Sequence, residues 1–383
     1  MRLTRRKLVR GGAAAGMILA ARAALGRGGL AGSAAWAQAP AGAGPTSAPT
    51  AAPFSSTETI GLLRELILQR ALASDDPWVQ AHVILALGAD IKTGGKYVLD
   101  EMVAQSLKTE AVDMKQYPFF PTDVERHPFH FLQIMQLTDV PYDRAFATPV
   151  GRFTRREILS GSEALYDPAK ITDELSWVVS VLTHEFPQDK DRFKTARGLE
   201  IHVTEIVQKH LADTEAAYTE TFAAMAGATP YGRGVIQRQA CNGTHMLYGL
   251  IDALRGGYTA GDLKARTWRL TRALLFRMRA EPQLIDASLR GDQPMVRLNA
   301  DAAKLTFLGH SVEDLGYAVQ NGVFELDASQ LQMVTQAREQ LAGIVSRMTG
   351  EHDLDQLQAE VPNAYKIILG DACHTYRGLR YWS

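Results

Sequence analysis

The sequence predicts an all-α fold built from helical-hairpin repeats, and three observations carry that prediction. Apolar residues spaced three and four apart recur along the chain. No run of Val, Ile, Thr or aromatic residues alternates with polar ones for long enough to make a sheet. Six histidines, His82, His130, His184, His245, His310 and His374, return at long and fairly even steps. Each sits in an apolar stretch preceded by a more polar helical one, the pattern of a hairpin repeated along the chain. Closing the repeats into a ring places the histidines around one cavity. An open α-solenoid of the same hairpins is the competing layout.

The N-terminus is read apart from the fold. Thr4-Arg5-Arg6-Lys7-Leu8-Val9-Arg10 precedes a Gly/Ala-rich run through Met17-Ile18-Leu19, and Ala35-Trp36-Ala37 places small residues where a signal peptidase reads. Residues 1–37 resemble a bacterial twin-arginine (Tat) export signal, which implies a folded passenger in the periplasm or outside the cell. Arg22 and Arg27 interrupt the apolar region, so it falls short of the ~18 apolar residues of a membrane span. Residues 38–56, rich in Ala, Pro, Gly, Ser and Thr, read as a flexible linker, and 57–383 as one repeat domain. Residues 1–37 hold seven basic side chains and no acidic one, so their removal takes the formal charge from −1 to −8. That balance argues against a nucleic-acid partner.

The hairpins follow in order. The first spans about 58–72 and 77–88, its second helix capped by Asp76 with Pro77 at the first position. The second spans about 97–108 and 127–137, joined by an aromatic loop, Tyr117-Pro118-Phe119-Phe120-Pro121, that is placed either at the cavity mouth or packed on the surface. The third spans about 153–165 and 172–186, with Thr172 as cap; the fourth about 198–226 and 233–255; the fifth about 261–280 and 299–320; the sixth about 328–348 and 363–379. Small residues flank the histidines, and the fourth and sixth repeats share an offset: His245 and His374 are each followed four residues on by Gly249 or Gly378, then Leu250 or Leu379. This organisation resembles the (α/α) toroid families: six-hairpin glycosidases and polysaccharide lyases, terpenoid cyclases and lanthionine cyclases. The resemblance implies an (α/α)6 toroid with its site in the central cavity, acting on a small molecule or glycan.

Two cysteines stand beside histidines in equivalent helices: Cys241 with His245, and Cys373 with His374. Thiolate and imidazole are preferred ligands of zinc and copper. The adjacent pair resembles the zinc-binding Cys-His of lanthionine cyclases, which implies a set of Cys241, His245, Cys373 and His374. A whole repeat lies between the two cysteines here, and the family's Gly-x-x-His-Gly run is missing. The competing reading is that both cysteines are small packing residues. As the i, i+4 pair of one helix, Cys241 and His245 share a face.

For acid/base work the residues are His184 with Glu185, His245 with Tyr248, His310 with Glu313 and Asp314, and His374 with Arg377. Other motifs are excluded. His184-Glu185 is followed by Gln188 where a zinc protease needs His, and Gly370 occupies the first cysteine position of a haem-attachment motif ending at Cys373-His374. Gly95-Lys96 lacks the partners of a phosphate loop, and no Gly-x-Ser-x-Gly is present. The functions left open are a toroid enzyme, a metal-binding protein, and an α-solenoid that binds another protein.

Overall fold

The computed structural model describes residues 56–171 and 174–383. The signal, nearly all of the linker and the Thr172 cap lie outside them. Fifteen α-helices and four antiparallel two-stranded hairpins make up the described fold, whose class is all-α as the sequence predicts.

The helices pair as outer then inner. Helix α1 (Ser56–Leu66) runs into a π turn and is followed by α2 (Pro77–Leu87). Asp76 caps α2 by accepting from the Trp78 and Val79 amides. Then come α3 (Val98–Ser106), the short α4 (Thr122–Glu125) and α5 (His130–Leu137); α6 (Arg155–Leu165) and α7 (Ser176–Glu185); α8 (Val203–Ala217), α9 (Thr219–Met225) and α10 (Thr244–Arg255). The last are α11 (Leu263–Ser288) and α12 (Pro294–Gln320), then α13 (Ala328–Gly350), the short α14 (Leu354–Glu360) and α15 (Pro362–Tyr381). Among the described residues no helix is long and apolar enough to cross a membrane.

Helices α2, α5, α7, α10, α12 and α15 each pack on the next, and α15 packs back on α2, so the cycle of contacts closes. Glycine at the shared offset is what brings these helices together. A Cβ on Gly249 would stand 2.6 Å from the Ser176 carbonyl oxygen of α7, and one on Gly378 would stand 2.8 Å from the Glu313 amide nitrogen of α12. One hydrophobic cluster runs through all the hairpins, from Leu63 to Leu379.

The differences from expectation have local causes. The strand pairs β1–β2 (Lys92–Thr93, Lys96–Tyr97), β3–β4 (Lys108–Val112, Lys115–Phe119), β5–β6 (Ala145–Thr148, Gly151–Thr154) and β7–β8 (Arg192–Lys194, Glu200–His202) are too short for alternation to show. The aromatic loop is mostly strand β4. It packs on α6, where Gly161 leaves room for the Pro118 carbonyl, and Phe120 is buried edge-on against Phe131 at 5.3 Å. It packs on the domain with Phe120 alone in the hydrophobic core, and none of its residues lines the large cavity. The 198–226 stretch divides into β8, α8 and α9, and α11 runs on through Pro282 because Glu281, Pro282 and Ile285 are buried.

An ion pair pins α12 to α13. Burial pushes the Asp301 carboxyl up. Hydrogen bonds from Arg347 (2.7 and 2.8 Å) and His352 (3.0 Å) outweigh that and hold it at about 2. A carboxylate depressed by folding stabilises the fold above its unfolded pKa, here near 3.8, and the benefit is lost as pH falls from there toward 2. Because Arg347 is partly exposed, Asp301→Asn is expected to cost about 1–2 kcal/mol at pH 7 in urea unfolding. The gap from the parent should narrow steadily between pH 4 and pH 2.

Candidate metal centre

One aromatic ring from each helix of the cycle meets its neighbours at the centre. Centroids lie 5.2 Å apart for His82–His130, 6.0 Å for His130–Trp177, 5.0 Å for Trp177–His245, 4.6 Å for His245–His310, 4.0 Å for His310–His374, and 5.0 Å for His374–His82. The circuit is closed and follows the order of the helices. A seventh ring, His127, comes from the loop before α5. It stacks on Trp177 at 4.0 Å and 3°, and its Nδ1 lies 3.0 Å from Glu174 Oε2.

Four of the circuit's five imidazoles are tethered through Nδ1. His82 bonds the Trp78 carbonyl at 2.6 Å and His310 the Thr306 carbonyl at 2.7 Å, each one turn back on its own helix. His130 bonds the Glu125 carbonyl at 3.2 Å, and His374 the Glu313 carboxylate at 2.5 Å. Carbonyls and carboxylates only accept, so Nδ1–H donates and Nε2 keeps its lone pair. The Nε2 atoms of His310 and His374 are buried with no hydrogen-bond partner among the described residues. Burial pushes His82 down to about 3, and drives His130, His245, His310 and His374 below the usual imidazole value. Neutral imidazole with Nδ1 tied back is the form that ligates a metal.

Cys241 approaches the rings on a left-handed turn. Cys241 (φ 48°), Asn242 (φ 57°) and Gly243 (φ 74°) are successive residues of positive φ just before α10. Non-glycine residues there cost on the order of 1–3 kcal/mol each and need an external hold. Arg277, fully buried on α11, supplies one by donating to the Asn242 carbonyl at 2.8 Å. Its guanidinium also bonds Tyr218 and Tyr231 and pairs with Glu281. The expected i, i+4 relation of Cys241 to His245 is therefore corrected, since Cys241 precedes the helix. The turn still brings the thiol to the rings: one donor atom from each of Cys241, His245 and His310 lies within 4.8 Å of the others.

The two faces of the ring layer differ. Cys241, His82, His127 and His310 face a cavity of about 410 Å³. His130, Trp177, His245 and His374 face a space of about 10 Å³, enough for roughly one water or ion, that also touches Glu313, Tyr248 and Arg377. There Arg377 bonds Glu313 at 2.6 Å and the Tyr248 hydroxyl at 3.2 Å. Burial pushes the Glu313 carboxyl up, while Arg377 pulls it back. Tyr248 stacks on Tyr317 at 4.6 Å, and the Tyr317 hydroxyl donates to Asp252 at 2.5 Å.

Among the sequence-predicted residues, His245, His310 and His374 join the circuit, with His82 and His130, and Tyr248 lies just beneath it. His184 does not join. It is exposed at the far end of α7 beside Asp252 and Arg255, and Glu185 accepts from the Tyr142 hydroxyl. Trp177 holds the place expected of His184. The two are seven residues apart, about 10.5 Å along a helix, and the circuit crosses α7 at its start. Cys373 is fully buried in the hydrophobic core, outside the donor group, and His310 stands where it was expected. Glu313 orients His374 across helices instead of His310 along its own, and both Asp314 oxygens are buried with no hydrogen-bond partner among the described residues. Arg277 and Glu125 escaped sequence reading, since neither carries a local signal; Glu125 is buried, takes the Phe129 and Phe131 amides, and is pushed up to about 8.

Comparison with protein-family models, curated proteins and solved structures finds no match.

Gly243 carries two demands, and a control separates them. Its φ is left-handed, and a Cβ there would run into the Ile236 side chain; Gly322 has φ 67° with nothing within 4 Å. Gly322→Ala is expected to cost about 1 kcal/mol from backbone strain alone. Gly243→Ala should cost about 2–4 kcal/mol, because overpacking adds to the strain. Chemical denaturation of both variants checks the ranking.

Proposed function

We propose that this chain is an exported metalloprotein of the (α/α)6 toroid type, holding one zinc or copper ion on Cys241, His245 and His310. The observation that carries the reading is the convergence of those three donors within 4.8 Å, with the His310 Nδ1–H tied back and its Nε2 buried and partnerless. Three protein ligands leave a position open on a four-coordinate ion. Cys241 and His310 face the large cavity, so the open position is reached from there. The ion would then act on a small molecule in the cavity as a Lewis acid or as a redox centre. The closed cycle of helix contacts supports the toroid over the open solenoid, whose ends would stay apart.

A second reading is metal-free acid/base catalysis by His374. The Glu313 hydrogen bond favours it, because a carboxylate on Nδ1 makes Nε2 more basic.

Metal content separates the two. Natively exported protein should carry close to one equivalent of zinc or copper. Cobalt(II) added to stripped protein should give a thiolate-to-metal charge-transfer band. Cys241→Ser should abolish the band and His310→Ala should lower affinity by about tenfold or more, while Cys373→Ala leaves both unchanged. A stripped protein that retains activity, lost only with His374→Ala, would favour the second reading. Export is tested on its own: Arg5→Lys with Arg6→Lys is expected to hold a folded fusion in the cytoplasm.

A further inference from the structure

The cavity above the ring layer has walls that select its occupant. On one side helix α12 presents Leu298, Ala302 and Ala303, on another α15 presents Ala364, Ile367 and Ile368, and Leu289 and Leu357 add further apolar surface. The α12 residues continue through Thr306 to His310 at helical spacing, so one helix face forms the wall and then the floor. Alanine at 302, 303 and 364 keeps the space open. At about 410 Å³ it lies in the range of small-molecule pockets, roughly 300–1,000 Å³. Water alone would need roughly a dozen molecules there, several of them against the aliphatic patch of α12 and α15.

Charge in the cavity is balanced: Arg126 and Arg238 are matched by Glu174 and Asp371. The polar side is a strip from the strained turn, with Gln237, Gln239 and Asn242, and it leads to Cys241. A glycan would need an open aromatic platform and hydrogen-bonding groups around the whole wall. Trp78 is an indole of the lining, and the Arg126 guanidinium sits over its ring at 4.3 Å.

We propose that this cavity binds a neutral small molecule with an apolar body and one polar end, the body against α12 and α15 and the polar end at Cys241 and His310. The inference rests on the metal reading for what the polar end meets, and on the cavity alone for the apolar body.

Two probes separate those parts. The first is 4-phenylimidazole, compared with imidazole, titrated into the cobalt-loaded full chain and read by the cobalt visible spectrum. The phenyl group should give at least tenfold tighter binding. Ala303→Trp, which fills the cavity, should erase that preference while cobalt loading and imidazole binding persist. Ala364→Phe, from the facing wall, repeats the test should the first variant fail to fold. The second probe is N-phenyl-1-naphthylamine, a neutral fluorophore with no metal-ligating head of comparable strength, added to metal-free protein. Its fluorescence should rise with the parent and not with either filled variant. Cobalt that fails to load while the fluorophore binds in this pattern removes the metal reading and upholds the apolar class. A fluorophore that does not bind, or binds the filled variants equally, overturns the proposal, as does a cobalt-loaded protein that prefers imidazole or tightly binds maltose.

Discussion

Five imidazoles and an indole pressed together at the centre of a helix cycle impose one constraint on everything around them: the imidazoles must stay neutral. Their centroids are 4.0–6.0 Å apart around the circuit, and protonating one would place a charge beside several others in a poorly solvated space. The fold answers by fixing tautomers. His82 and His310 give Nδ1–H to the carbonyl one turn back, which any helix offers at no cost in sequence. His374 gives its proton to Glu313, a tether that must be supplied by another helix. Each tether points a lone pair elsewhere, and the buried, partnerless Nε2 atoms of His310 and His374 are what remains.

The second support is the strained turn. Two non-glycine residues and a glycine in left-handed conformation would relax if left alone. Arg277 prevents this from a fully buried position, and its own charge is compensated by Glu281 and two tyrosine hydroxyls. Removing one member of such a network leaves a buried charge uncompensated, which costs more than the network contributes in place. The turn is thus held by interactions reaching α11, on the outer layer, and its conformation is coupled to the packing of that layer on α12.

Much of the architecture was legible because it depends on local patterns. Asp76-Pro77 marked the start of α2, and the His-Gly-Leu offset of the fourth and sixth repeats marked two real close approaches, at Gly249 and Gly378. The site was legible only where a helix carried its residue to the right level. His82, His130, His245, His310 and His374 satisfy that condition; His184 does not, because even spacing along the chain says nothing about depth along the helix axis. The Trp177–His184 pair already lay on one face of one helix, so the sequence contained both options without a sign of which end faced the centre. Cys241 was assigned a helix because its neighbours are helix-compatible, and positive φ at cysteine has no sequence signal. Glu313 and Arg277 act across helices, and a single sequence does not report such pairs.

The asymmetry of the ring layer bears on how chemistry would be divided. The upper face offers space, aliphatic walls and a thiol with an imidazole. The lower face offers almost no space and a charged network, Glu313 with Arg377 and then Tyr248 over Tyr317, that ends at Asp252 and Arg255. Asp252 and Arg255 in turn line the surface pocket on which His184 stands. Trp177 and His245 also line a third cavity of about 370 Å³. Carboxylates flank the rings on both faces, Glu174 at His127 and Asp371 near His310 above, and Glu313 at His374 below. His374 joins the two, with one nitrogen on Glu313 and the other, partnerless, in the ring layer. A charge developing at the centre is therefore felt by Glu313 and Arg377 through one direct hydrogen bond and one direct ion pair. That arrangement keeps the Glu313–Arg377 pair away from the aliphatic residues of α12 and α15, on the opposite side of the imidazoles.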